Sequence, residues 1–565
     1  MGIINLMWLL LCGVLVCFMQ AGFAMLEAGF VRAKNVANIA MKNIMDICIG
    51  APLFIVLGFG IMYGKGNAFI GSLDILLNES YESVLPMGVT LEAFIFFQLI
   101  FCATAATIVS GAMAERTRFA AYCVYSAVIS AVVYPVVGHW IWGGGWLNAL
   151  GFHDFAGGTL VHTVGGMSAL TGAVMVGPRL GKYDSDKKAK AIHGHNITLS
   201  ALGIFILWFG WYGFNGGSVL TSTGSIADAA GGVFLKTTVA AAVSAVFATL
   251  TSRYKFKKTD VSMTINGILA GLVSITAGCD KVSLTGAFVI GAVAGIVVVN
   301  SIGILDKVFK VDDPVGAVSA HGVGGILGTL MTGLFATDKG LFYTGNAEFF
   351  GVQLLGSVVV TASMLAVMTI VFKLIDITVG LRVASEVEME GLDIHEHGFK
   401  NACGDYLFNN YIEDDNKEEL DKIIKDLAVP IEEAVPIQNV SERGAVTGLA
   451  KVEIIIRQSK FEILKAAMEK IGVTGMTVSH VFGCGIQKGR AEYYRGAPID
   501  MQLLPKIKVE IVVAKVPVEL LIETARKVLY TGHIGDGKIF VYDVMHVVKI
   551  RTGAVDYDAM QGLQD

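Results

Sequence analysis

The sequence predicts an all-α polytopic membrane protein of eleven transmembrane helices, arranged as an inverted five-helix repeat, with a small α+β domain at its C-terminal end. Three observations predict it. Hydrophobic residues make up 54% of the 565 and charged residues only 16%, against about 25% in a soluble domain. The charge collects in short clusters between long apolar stretches up to Phe372 and is spread evenly after Arg382. Two segments about five apolar stretches apart share an aspartate, a histidine eight residues later and a Val-Gly-Gly run.

A hydrocarbon core of about 30 Å needs about 20 apolar residues per helix. Spans are expected near 3–29, 44–63, 93–113, 119–137, 155–177, 196–217, 230–250, 261–278, 284–304, 315–335 and 348–373. The first, from Ile3 to Leu26, reads as a span and not as a signal peptide. It is long, lacks a basic start, and is followed by Arg32, Lys34 and Lys42.

Alternate connections carry the positive charge. One side holds Arg32, Lys34, Lys42, Arg116, Arg118, Arg179, Lys182, Lys187, Lys188, Lys190, Arg253, Lys255, Lys257, Lys258, Lys307 and Lys310. The other holds only Lys65, Lys236, Lys281 and Lys339. Basic loops stay cytoplasmic, so the N-terminus is expected outside and, after an odd number of spans, the C-terminal domain in the cytosol. Net charge is −5, which gives no reason to expect nucleic acid as a partner. The eight cysteines are scattered without a CxxC or His-Cys pairing, so no metal site is expected.

The repeat reads DFAGGTLVHTVGG from Asp154 to Gly166 and DPVGAVSAHGVGG from Asp313 to Gly325. It falls on spans five and ten, which run in opposite directions. In folds with inverted repeats, the substrate path lies near the repeat interface. His162 and His321 each lie about two turns inside an apolar helix. An ionisable side chain at that depth is costly and normally faces a polar path. Neutral imidazoles can donate at one nitrogen and accept at the other, which suits a small polar solute stripped of water. The glycines around them (Gly157, Gly158, Gly165, Gly166, Gly322, Gly324 and Gly325) read as close-packing positions.

Further segments carry a family resemblance: AGFAMLEAGFVRAKN (21–35), GAMAERTRF (111–119), WGGGWL (142–147), WFGWYGFNGGS (208–218), VDDP (311–314), AHGVGGILGTLMTGLF (320–335) and VGLRVASEVEMEGLDIHEHG (379–398). With DFAGGTLVH they run in order along the first 400 residues, which resemble the ammonium transporter (Amt/Mep/Rh) family. The resemblance implies a homotrimer in the plasma membrane with one pore per subunit for ammonium or ammonia, and no cofactor required for transport. It places His162 and His321 as the twin pore histidines and Phe101 with Phe214 as a stacked outer gate. Phe97, Trp142 and Ser218 would form the outer recruitment site, with Asp154 as the buried aspartate beneath it. An aromatic face within about 6 Å attracts a cation. By its position alone, Asp154 is first a cap for the start of span five.

Residues 401–448 read as an acidic linker, the last part of a polar tail that starts near Arg382, and 449–565 as a separate domain. The periodicity there predicts strands at Lys451 to Arg457, Met476 to Phe482, Ile507 to Val513, Ile539 to Tyr542 and Val547 to Ile550. Helix faces are marked by Phe461, Leu464, Met468, Ile471 and by Val518, Leu521, Ile522, Ala525, Val528, Leu529. That order is βαββαβ, a ferredoxin-like arrangement. The motifs GCGIQKGRAEYYRGA (483–497), LLPKIKVEIVV (503–513), TGHIGDGKIFVYDV (531–544) and KIRTG (549–553) resemble the P-II nitrogen signal-transduction family.

That resemblance implies a regulatory, non-enzymatic domain. It would bind ADP or ATP through Thr477, Gly483, Gly485, Gln487, Lys488, Gly535, Asp536, Gly537, Lys538 and Arg551, and 2-oxoglutarate through Lys506 with Gln487. The loop bearing Tyr494 and Arg495 is expected to reach the pore mouth. Ile486 and Lys549 stand where the family has arginines, which leaves the nucleotide, and 2-oxoglutarate binding itself, open. Ile499 replaces the tyrosine that many members uridylylate. A sensor that conducts little is the alternative to a transporter. A nucleotide hydrolase is a weaker third reading, because no general base or Walker-type motif stands beside the GDGK run.

Overall fold

The computed structural model describes residues 2–183, 186–223, 226–399, 449–457, 460–473, 475–483, 492–494, 497–499, 504–514, 516–530, 536–550 and 553–560. The chain divides into two compact units, Met1–Cys403 and Gly404–Asp565.

The first unit is helical. Among the described residues, ten helices are long and apolar enough to cross a membrane: Gly2–Phe30, Ala33–Tyr63, Leu91–Ala112, Phe119–Ala149, Gly158–Val176, Ile197–Leu220, Ala229–Phe256, Leu284–Phe309, Val318–Phe335 and Glu348–Thr378. The segment expected as the eighth span is the shorter apolar helix Val261–Thr276. Its 16 residues extend about 24 Å at 1.5 Å per residue. Outward-facing side chains are apolar. Ile3, Met7, Leu11, Val14 and Phe18 are exposed on the first helix, and Val358, Ile370, Leu374 and Ile377 on the last. Water-facing helices would carry polar residues there, so this is a surface for lipid.

Glycine sets the close approaches between the two halves. A Cβ on Gly203 would lie 2.4 Å from the Leu26 backbone nitrogen, and one on Gly29 would lie 2.6 Å from that of Ser200. Helices Gly2–Phe30 and Ile197–Thr223, the first of each half, therefore pack backbone to backbone. The same holds for the repeat helices, where a Cβ on Gly166 would sit 2.1 Å from the Gly322 nitrogen.

The basic connections are tied together by carboxylates. Arg179 bonds Asp312 at 2.8 Å and Glu115 at 3.1 Å, and Arg32 reaches Glu115 at 2.7 Å. The fully buried Arg116 gives its guanidinium hydrogens to the carbonyls of Gly177, Ala114 and Asp312. The first part of the polar tail joins this end. Arg382 pairs with Glu388 at 2.8 Å, and Asp393 accepts the N–H groups of Ala37 and Asn38. Leu392 is fully buried.

The second unit is built on a four-stranded antiparallel sheet. Its strands are β1 (Ala450–Ile456), β2 (Thr477–Gly483), β5 (Leu504–Val513) and β6 (Lys538–Asp543), in the order β2-β5-β1-β6. A two-stranded hairpin of β3 (Glu492–Tyr494) and β4 (Ala497–Ile499) lies between β2 and β5 in sequence. Val452, Ile454 and Ile456 of β1 and Ile507, Val509, Ile511 and Val513 of β5 are buried in one cluster with Leu464, Met468, Leu521, Ala525 and Leu529. These come from helices Phe461–Lys470 and Val518–Leu529. On the opposite face Lys451 pairs with Glu510, and Lys508 lies 3.5 Å from Glu510. One sequence expectation is corrected. Val547 to Ile550 does not form a strand; Val548 makes a single bridge to Val555, and Ile550 is fully exposed. Val547, Val548 and Ile550 are strand-like by residue type, but that preference holds only where a pleated, half-buried surface receives the side chains.

Candidate functional site

The repeat begins the same way in each half. Asp154 accepts the N–H of Gly157 at 3.1 Å, Thr159 at 2.9 Å and Leu160 at 2.8 Å. Asp313 accepts those of Gly316, Ala317 and Val318. Three residues after each aspartate a glycine takes a left-handed φ, +95° at Gly157 and +82° at Gly316, where a side chain would be strained. The chain then enters a wide-turn π-helical segment, Gly158–Thr163 or Val318–Val323. Each π segment carries one of the histidines, and such segments recur at functional positions.

The two imidazoles meet. Their Nδ1 atoms are 3.1 Å apart, and the rings stack at 5.2 Å between centroids and 25°. Both are buried. Sharing one proton between two facing Nδ1 atoms requires one ring to donate and the other to accept, so the pair adopts complementary tautomers. His162 Nε2 has no hydrogen-bond partner among the described residues.

Aromatic rings extend this pair in a line. Phe97 lies 4.7 Å from Phe101; Phe101 stacks on Phe214 at 4.0 Å and 21°; Phe214 lies 5.5 Å from His162. Trp142 meets Phe101 edge-on at 6.1 Å and donates its indole N–H to the Asp154 carbonyl at 2.7 Å. The structure therefore brings together His162, His321, Phe97, Phe101, Phe214, Trp142 and Asp154. Ser218 is buried and donates to the Phe214 carbonyl at 3.0 Å. Its neighbour Gly217 would place a Cβ 2.4 Å from the Phe97 ring.

Sequence reasoning passed over two rings. Trp211 is fully buried, stacks on His162 at 5.1 Å and 14°, and donates to Thr276 Oγ1 at 2.9 Å. Its position three residues before Phe214, on the same helix face, was the available signal. Phe23 lies 6.0 Å from His321 at the far end of the line.

These observations meet known proteins at every level. The model of the Ammonium Transporter Family matches residues 7–402. The chain belongs to this family. Ammonium transporter Amt2 of Archaeoglobus fulgidus is 45% identical over 417 residues, covering 70% of this chain and 87% of that protein. Ammonium transporter 1 member 3 of Solanum lycopersicum is 37% identical, covering 70% of this chain and 92% of that protein. A solved structure described as a sensor Amt protein is 39% identical with a TM-score of 0.66, covering 70% of this chain and 98% of its own. Mep2 of Candida albicans, 28% identical, aligns with a TM-score of 0.63 over 72% of this chain and 92% of its own. The model of nitrogen regulatory protein P-II matches residues 449–554. The chain is thus a multi-pass membrane protein of the ammonium transporter family with a C-terminal P-II domain.

Within the P-II domain the sheet register gathers some of the residues expected to bind ligand. Gly483 ends β2 opposite Leu504, Lys506 lies opposite Val481, and Lys538 starts β6 opposite Ile455. Gly483, Lys506 and the turn Asp536–Gly537 therefore lie at one end of the sheet. Gly537 has φ +114°, and a Cβ there would approach the Ile455 carbonyl to 2.2 Å. Arg457, not singled out from the sequence, joins the same end. Partial burial, and then the nearby Arg457 charge, lower the Lys506 pKa. Thr477 lies at the start of β2, about 20 Å along the strand from Gly483 at 3.3 Å per residue, so the sheet does not bring it to the others. Gly485, Gln487, Lys488, Arg495, Gly535 and Arg551 lie outside the described residues, and Tyr494 is placed only as the last residue of β3.

Proposed function

We propose that each chain carries one transmembrane path for ammonium or ammonia, running along the aromatic line past His162 and His321, and that the protein works as a homotrimer. The observation that carries this is the histidine pair. Two ionisable rings meet at membrane depth, and buried polar groups in lipid persist where they line a path. The outer mouth, in this reading, is Phe97, Trp142 and Ser218, with Asp154 beneath. Phe101 and Phe214 form a gate that strips water from the solute. In this reading Val261–Thr276 is a short eighth span of eleven, the odd number sets the two ends on opposite sides, and the basic connections favour an N-terminus outside the plasma membrane with the P-II domain in the cytosol. The domain limits are 1–400, 401–448 and 449–565.

The P-II domain is proposed as the regulator. Basic groups gathered at one sheet end with a tight glycine turn suit the phosphates of ADP or ATP, and Lys506 suits a dicarboxylate such as 2-oxoglutarate. The loop bearing Arg495 is proposed to reach the pore mouth, an arginine being a cation that stays protonated.

A second reading, an ammonium sensor with little flux, is favoured by the likeness to a structure described as a sensor Amt protein. One experiment separates the two. Purified protein in proteoliposomes is assayed for labelled methylammonium uptake beside a His162→Leu, His321→Leu double variant. Transport by the wild type that falls at least tenfold in the folded double variant supports the pore. Wild-type protein that binds ammonium without uptake supports the sensor, and a double variant that transports normally refutes the role given to the histidines.

A further inference from the structure

Past His321, at the end of the ring line away from Phe101, lies a small, partly open cavity. It is lined by Phe23, Leu26, Glu27, Ile108, Leu269, Val315, Ala317 and His321, and its volume of about 10 Å³ fits one water-sized particle. Its polar walls are the His321 ring and the carboxylate of Glu27. Glu27 lies in the last turn of helix Gly2–Phe30, five residues before Arg32 and so toward the basic end of the protein, and is 2% exposed. Its Oε2 accepts from Ser110 Oγ at 2.9 Å and Asn43 Nδ2 at 3.1 Å. No donor reaches Oε1 among the described residues. Gly111 keeps room beside that oxygen. A Cβ there would come within 3.3 Å of Oε1 and 2.3 Å of Val315. A carboxylate with one oxygen fixed by two donors and the other beside a water-sized space keeps an acceptor for a donor that enters that space.

We propose that Glu27 is a cation-binding group at the inner end of the path, where its Oε1 holds the N–H head of ammonium or methylammonium that has passed the histidine pair. The proposal rests on the pore reading. The ligand supplies the donors that Oε1 lacks, and the carboxylate charge offsets the cost of keeping a cation out of water.

The test uses Glu27→Gln in the full chain. The amide oxygen can keep the bonds from Ser110 and Asn43, and the amide nitrogen then replaces the acceptor in the cavity with a donor. Uptake of labelled methylammonium into proteoliposomes is expected to fall at least tenfold, with thermal unfolding within about 2 °C of wild type. Glu27→Asp, which keeps the charge, is expected to retain more than a third of the rate. Glu27→Gln uptake within twofold of a conducting wild type overturns this proposal alone. Loss of uptake matched by loss of folded protein, in both variants alike, also overturns it, because Glu27 is then a packing residue. A wild type that takes up no methylammonium removes the pore reading and this proposal with it.

Discussion

Replacing Gly166 with alanine tests whether the histidine pair depends on the contact between the repeat helices. The new Cβ would sit 2.1 Å from the Gly322 nitrogen and 2.3 Å from its Cα. Both are backbone atoms, so no side-chain rotation relieves the clash. Ordinary contact begins at 3.4 Å, and the two segments must separate by about 1.3 Å, the difference between 3.4 and 2.1. Gly166 is one turn beyond His162, and Gly322 follows His321. If that displacement falls along the line joining the rings, the Nδ1 separation grows from 3.1 Å to about 4.4 Å, beyond hydrogen-bond range. Overpacking of this kind costs about 1–3 kcal/mol of stability, and a 1 Å misplacement in a reacting geometry can cost about 100-fold. Gly166→Ala is therefore expected to fold with a lowered unfolding temperature and to lose most methylammonium uptake in proteoliposomes. Gly351→Ala is the control, because nothing lies within 4 Å of the added Cβ. A Gly166→Ala protein with uptake within twofold of wild type and an unchanged unfolding temperature would refute the reasoning.

Trp142→Leu removes the ring that meets Phe101 and the hydrogen bond to the Asp154 carbonyl. Half-saturation for ammonium is expected to rise about 2–30-fold, the equivalent of about 0.5–2 kcal/mol. Trp142→Phe, which keeps an aromatic face, should lose less; equal effects in competition assays would count against a cation–π role. Arg179→Met leaves Glu115 and Asp312 buried without their shared partner, at a cost of about 3–5 kcal/mol in thermal unfolding. The same cluster sets a pH dependence. Burial pushes the Glu115 carboxyl up, but the charges of Arg179 and Arg32 overcome this and hold it at about 2. A carboxyl held below its ordinary value of 4.5 contributes stability that is full above pH 4.5 and is lost as pH falls toward 2. The unfolding temperature should fall across that window and fall less steeply in Glu115→Gln; parallel curves would exclude Glu115 as the cause.

Much of the membrane unit was legible because lipid penalises polarity. Histidines at membrane depth need a reason, and the repeated Asp-to-His spacing supplied one. The Asp154 cap was readable for the same reason, since a carboxylate at a helix start has few other uses. Trp211 was not readable as a site residue. A tryptophan in an apolar helix is usually core or interfacial belt, and only the fold shows its ring lying on His162. Glu27 was hidden in the motif 21–35, where a carboxylate close to Arg32 resembles ordinary end-of-helix charge. Composition alone read the tail from Arg382 only as polar; packing of its first part, to about Gly398, on the membrane unit is what the family resemblance implies. Its anchoring depends on Asp393 meeting two N–H groups more than 350 residues away in sequence. In the P-II domain the alternation of β1 and β5 was clear because one face is buried. Val547-Val548-Lys549-Ile550 is short, alternates only over its last three residues, and leaves Ile550 fully exposed, so residue type alone overstated it.

The two aspartates of the repeat allow capping and electrostatics to be separated. Asp154 and Asp313 each spend both oxygens on three backbone N–H groups, yet only Asp154 has its carbonyl bonded to Trp142 at the proposed outer mouth. In Asp154→Asn the amide oxygen can keep Thr159 and Leu160, and the amide nitrogen then faces the Gly157 N–H. In Asp313→Asn the oxygen can keep Gly316 and Ala317, and the nitrogen faces Val318. Each variant strands one buried donor, worth about 1–3 kcal/mol, so the two should lower the unfolding temperature by similar amounts. If the charge of Asp154 also draws the cation in, Asp154→Asn should lose several-fold more uptake than Asp313→Asn at equal stability. Equal uptake in the two variants would confine Asp154 to capping. A cation at the mouth would then be held by Phe97, Trp142 and Ser218 alone.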